Sequence, residues 1–114
     1  MALDRAIIDR LIADVGEEAA PSLVRLFLTE SRDQVASIEA ALAVGKIREA
    51  GRLAHSLKHA ARGFGLPDLG ILAQRLQENI DAGKRSEAEA ALAVLKTQMP
   101  GEIAELEALL AAMG

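Results

Sequence analysis

The chain's two histidines, His55 and His59, stand four residues apart in the segment 46–62. Around them lie Lys46, Arg48, Arg52, Lys58 and Arg62, with Glu49 as the one acid. On a helix that turns about 100° per residue, positions three, four and seven apart share a face. Arg48, Gly51, Arg52, Lys58, His59 and Arg62 therefore fall on the face of His55. His55 itself lies about 160° from the apolar Leu57, on the solvent side. Gly51, one turn below, is read as leaving room for an approaching surface. Four chemistries compete for this stripe. A solvated helix face with two surface imidazoles needs nothing more. Histidines at i and i+4 can share a divalent ion. A third ligand is missing, however: positions 51, 52 and 62 are Gly, Arg and Arg, whose charge repels a metal, so no metal is expected. Acid–base catalysis lacks a paired nucleophile or a Gly-rich phosphate loop. Phosphate chemistry would use the imidazole as nucleophile and the cations to offset phosphoryl charge. Periodicity alone leaves the solvated face and the phosphate chemistry open.

The elements that must position these groups are helical. The chain has 114 residues, half of them apolar, with no Cys, Trp or Tyr and only Phe27 and Phe64 as aromatics. That size fits one domain, expected over 1–114. The composition excludes a disulfide scaffold, a thiolate zinc site and a cysteine nucleophile. A net charge of −4 argues against nucleic acid as partner. Asp4, Arg5 and Asp9 interrupt the start, against a signal peptide. No stretch reaches the ~20 apolar residues of a membrane span, so a cytoplasmic protein with no membrane partner is expected.

Glycines divide the helices. The first is expected near 3–15, with Leu3, Ile7, Leu11 and Val15 on one face, Ile8 and Ile12 beside them, and Gly16 as stop. A second runs from about 20 to 44, opened by Pro21 and ended by Gly45, with Val24, Phe27, Leu28, Ser31, Val35, Ile38 and Leu42 as its stripe. The histidine helix, about 46–63, turns Ile47, Ala50, Ala54, Leu57, Ala61 and Phe64 inward. A fourth, about 67–82, lines up Leu69, Leu72, Leu76 and Ile80. Ser86 and Glu89 have the spacing of a capping box for a fifth segment, in which Pro100-Gly101 predicts a kink or a division into two helices. Short connections between long amphipathic helices make neighbours antiparallel. The expected fold is all-α: an antiparallel up-down four-helix bundle preceded by a short N-terminal packing helix.

The run Ala54-His55-Ser56-Leu57-Lys58-His59-Ala60-Ala61-Arg62-Gly63-Phe64-Gly65 resembles the signature of histidine phosphotransfer (HPt) domains of two-component phosphorelays, roughly A-H-x-L-K-G-x-x-x-x-x-G. Ala54, His55, Leu57, Lys58 and Gly65 match it. Phe27-Leu28-Thr29-Glu30, Gly45-Lys46 and Leu69–Gln77 resemble the family's flanking helices and turn. The resemblance implies that His55 is the phosphoacceptor and that Lys58 offsets phosphoryl charge. It implies that Gln77 orients the imidazole; from periodicity alone Gln77 is equally a half-exposed polar residue at the edge of the inner stripe. It further implies response-regulator receiver domains and a hybrid histidine kinase as partners. The carrier would then need no ATP site or cofactor of its own, with Mg²⁺ supplied by the receiver. Gly51, Arg52, His59 and Arg62 are then expected to dock the partner. His59 departs from the family, which usually has a small residue there. A non-phosphorylated helical adaptor, holding an acidic partner on the same basic face, is the alternative.

Overall fold

Apolar residues recurring every three or four positions build five helices in the computed structural model, which describes residues 3–113. They are α1 (Arg5–Val15), α2 (Ala20–Ala43), α3 (Ile47–Gly63), α4 (Pro67–Asp81) and α5 (Arg85–Met113). α2 to α5 form the bundle. α3 packs between α2 and α4, and α5 closes the ring against both α4 and α2. The inward stripes expected for α2 and α4 are buried throughout. In α3, Ala50, Ala54, Leu57 and Ala61 are buried, whereas Ile47 at the first turn is 37% exposed. Phe64 stacks on Phe27 with ring centroids 4.6 Å apart, joining the C-terminus of α3 to the middle of α2.

α1 covers the end of the bundle where α3 turns into α4. Asp4 caps it, accepting from the Ala6 N–H at 3.1 Å. The Asp4 N–H donates to the Gly65 carbonyl at 2.6 Å. A Cβ on residue 65 would stand 2.7 Å from the Asp4 carbonyl oxygen, and φ there is +75°, so only glycine permits this contact. The face of α1 differs from the expected one. Ile8 is its buried residue, Leu3 is buried just ahead of the helix, and Val15 is 36% exposed. The contact at Gly65 fixes the start of α1, and with it the rotation that turns Ile8 inward.

α5 corrects one expectation and narrows another. Ser86 is not an N-cap, because the helix begins at Arg85 and the Ala88 N–H bonds the Lys84 carbonyl. Glu89 pairs instead with Arg85, Nε to Oε1 at 3.2 Å. Nor does Pro100 divide the helix, which runs on to Met113. Proline removes one backbone bond there, but Met99 and Ile103 are buried on either side of it. Lys96–Glu39 at 2.7 Å and Arg32–Glu107 at 2.8 Å tie both halves of α5 to α2. Arg85 also donates to the Leu42 carbonyl at 2.6 Å, at the C-terminal end of α2. Among the described residues no helix is long and apolar enough to cross a membrane.

Candidate functional site

Small residues bring α3 and α4 close enough for side chains to meet over the seam. Gly51 is buried, and a Cβ there would stand 2.8 Å from Asp81 Oδ1 and 3.5 Å from Ile80 Cγ2. Gly70 of α4 is also buried, and a Cβ on it would lie 3.1 Å from Arg62 Cγ. The reading of Gly51 as part of the solvent-facing stripe is therefore corrected. The helix face that carries His55 is wider than the open surface, and α4 covers its edge. Gly51 allows close packing rather than partner approach.

That approach sets the environment of His55. Its ring is exposed, and Gln77 reaches over from α4 to its Nδ1, with Oε1 at 3.4 Å and Nε2 at 3.2 Å. These contacts are alternative orientations of one amide. In the orientation where Nδ1–H donates to Oε1, the other ring nitrogen, Nε2, keeps its lone pair for chemistry. Both contacts fall on Nδ1, so the ring is held from behind by its inner nitrogen. Lys58, one turn on, is half-buried at the α3–α4 seam. An imidazole anchored at one nitrogen beside an ammonium suits nucleophilic attack on a phosphoryl group.

The remaining cations differ in freedom. Arg62 is exposed but donates from Nη2 to Gln74 Oε1 at 2.7 Å, its stem lying over Gly70. Arg52 stands 4.0 Å from Glu49, an exposed and weak pair. His59 is exposed, and its ring meets that of His55 edge-on, with centroids 4.3 Å apart and planes at 72°. Desolvation by its neighbours, then the charges of His55, Lys58 and Arg62, hold the His59 imidazole below its ordinary value of 6.5. Among the described residues no three His, Cys, Asp or Glu side chains are grouped to hold a metal.

The family resemblance set Gln77 against His55, and the structure places these two side chains in contact, with Lys58 one turn on from His55. Sequence reasoning did not anticipate Gln74, which holds Arg62. The signal was present, because Gln74 and Gln77 are three residues apart on α4 and so share a face.

A family model of the Hpt domain matches residues 22–113, which contain all of these groups. The chain belongs to the Hpt domain family. Membership makes it a phosphotransfer carrier of the two-component type. The chain is 30% identical over 82 residues to the phosphorelay protein LuxU of Vibrio cholerae, covering 72% of this chain and 73% of that protein. Its fold is similar to the crystal structure of histidine-containing phosphotransfer protein B (HptB) from Pseudomonas aeruginosa PAO1. The TM-score is 0.82 at 26% identity, over 97% of this chain and 92% of the other.

Proposed function

We propose that this Hpt domain is a phosphorelay intermediate in which His55 Nε2 carries the phosphoryl group. The observation that carries the reading is the Gln77 contact at His55 Nδ1, which leaves Nε2 as the reactive nitrogen of an exposed ring. The donor is an aspartyl phosphate in a receiver domain of a response regulator or hybrid histidine kinase. Nε2 attacks phosphorus, the N–P bond forms and the acyl O–P bond breaks, returning the aspartate as carboxylate. The imidazole releases its Nδ1 proton through the Gln77 side to solvent. Return transfer reverses each step. Lys58 offsets the charge spread over the phosphoryl oxygens, while alignment comes from setting the nucleophile on a packed helix rather than a loop. The carrier supplies neither ATP site nor metal. Mg²⁺ belongs to the receiver, and the exchange takes place in the cytoplasm.

Arg52, Arg62 and His59 border His55 on the surface that a receiver must cover. An acidic receiver pocket is attracted to this basic face, although the chain as a whole is acidic. Incubating the protein with a panel of phosphorylated receiver domains tests the reading. Acid-labile, alkali-stable label is expected on the wild type and lost in His55→Gln, with helix content unchanged. Label that persists in His55→Gln and disappears in His59→Gln would move the acceptor. Binding that survives His55→Ala with no phosphohistidine from any receiver would favour the adaptor.

A further inference from the structure

The His59 ring meets that of the acceptor edge-on, with centroids 4.3 Å apart. Both rings are exposed, so a group attached to one is within reach of the other. A phosphoryl group brings about −1.5 to −2 charges.

In the free protein the charges acting on His59 are positive. On its own helix they are His55, Lys58 and Arg62, which together with desolvation keep its imidazole below the ordinary value. On α4, the side chains engaged with this face are Gln74 and Gln77, both uncharged and already bonded to Arg62 and His55. Of the α4 acids on this side, Glu78 is exposed next to Gln77 in sequence, and Asp81 lies against Gly51, about two turns down the helix from His59. On α2, Glu30 lines a groove with Ala60 and Phe64 on the other flank of α3. None of these three acids is among the groups that shift His59. The neutral ring thus stands among cations, and phosphorylation of its neighbour would be the event that gives it an anion.

We infer that His59 binds its proton more tightly when His55 is phosphorylated, drawing a fraction of a proton from solvent near its titration, and so couples phosphoryl occupancy of His55 to pH. This rests on His55 being the acceptor. The proton lands on the unprotonated ring nitrogen of His59, and no bond to phosphorus forms there. The imidazolium lies beside the phosphoryl oxygens and offsets their charge, adding to Lys58 a cation that is more populated in the phosphorylated state. By linkage, a group that binds its proton more tightly in the phosphorylated form makes that form more favourable as pH falls. Two charges about 5 Å away in a water-like medium raise a pKa by about one pH unit. Occupancy is then favoured about tenfold on the acid side of the His59 titration relative to the alkaline side. A small residue at this position, as is usual in the family, has no such group.

The test is an NMR titration of both imidazoles in the full chain, before and after treatment with phosphoramidate, a small P–N donor that needs no receiver. His59→Gln supplies the assignment. It also separates out the phosphoryl group's own titration, which falls near pH 6. The phosphoryl group is expected on His55, with the His59 midpoint rising by about one pH unit. His55→Glu, which places a carboxylate at the same position without any reagent, should raise the His59 midpoint by less. A His59 midpoint that is unchanged or falls in both forms overturns the inference, as does a phosphoryl group found on His59 itself. The two readings fail separately. A raised midpoint in a protein that no receiver labels sinks the relay and leaves the coupling. An unmoved midpoint in a protein that receivers label through His55 does the reverse.

Discussion

At the scale of single residues, the site depends on which nitrogen of His55 is occupied. A free imidazole on an exposed helix samples rotamers, whereas one bonded at Nδ1 to Gln77 is held with Nε2 available. Gln77→Ala should therefore slow phosphoryl transfer to His55 by roughly tenfold, about the worth of one hydrogen bond. The melting temperature should stay nearly unchanged, because the contact is exposed. Initial labelling rates and a thermal melt check it; an unaltered rate would mean that the ring is oriented by something else. The exposed face of His55 was legible from helical spacing, whereas the place of Gln77 beside it was legible only through the family resemblance. Gly51 was not, because a residue without a side chain gives no sign of whether solvent or a neighbouring helix covers it. Whether α4 approaches closely enough to bury it depends on Gly70, nineteen positions on.

At the scale of elements, the three connections 44–46, 64–66 and 82–84 decide how the helices meet. The one at 64–66 also carries α1, because Gly65 receives the Asp4 N–H. Gly65→Ala would force an alanine into φ +75° and set its Cβ 2.7 Å from a backbone oxygen that cannot rotate away. The expected cost is about 1–3 kcal/mol, seen as a melting temperature lower by roughly 5–15 °C. Labelling of the folded protein should persist, since His55 lies nearly three turns away. An unshifted melt would show that α1 is not held by this contact. The stripes of α2 and α4 were read correctly from period alone, since burial obeys the same geometry as the pattern. The start of α5 was not, and of the kink or division expected at Pro100 the division is absent. The Ser86–Glu89 spacing is a local preference, and Arg85 takes Glu89 for itself. Burial of Met99 and Ile103 around Pro100 is a tertiary effect with no local trace.

At the scale of the whole molecule, charge is unevenly spread: an acidic chain gathers five of its thirteen Lys and Arg side chains in the segment 46–62 around the histidines, and individual groups shape its response to pH. Two groups away from their ordinary values act in opposite directions. The folded protein holds His59 below 6.5. As pH falls through that value the unfolded chain binds the proton first, so stability declines toward acid. Glu102 on α5 behaves oppositely. Its Oε2 is buried with no hydrogen-bond partner among the described residues, and burial, then Asp68 on α4, raises its pKa above 4.5. The folded state therefore holds that proton more tightly than the unfolded one. Stability from this group is complete below 4.5 and is lost as pH rises through the folded value. Above the folded value the carboxylate carries its charge with Oε2 buried and Asp68 repelling it. Glu102→Gln, which matches the protonated form in shape and charge, should thus stabilise the protein at pH 7 and make little difference near pH 4. His59→Gln should flatten the decline below 6.5 and leave the rest of the profile in place. Denaturant midpoints of the two variants and the wild type, measured from pH 4 to pH 8, separate the two groups. A Glu102→Gln gain that is equal at both ends of the range would mean that its effect is packing and not charge.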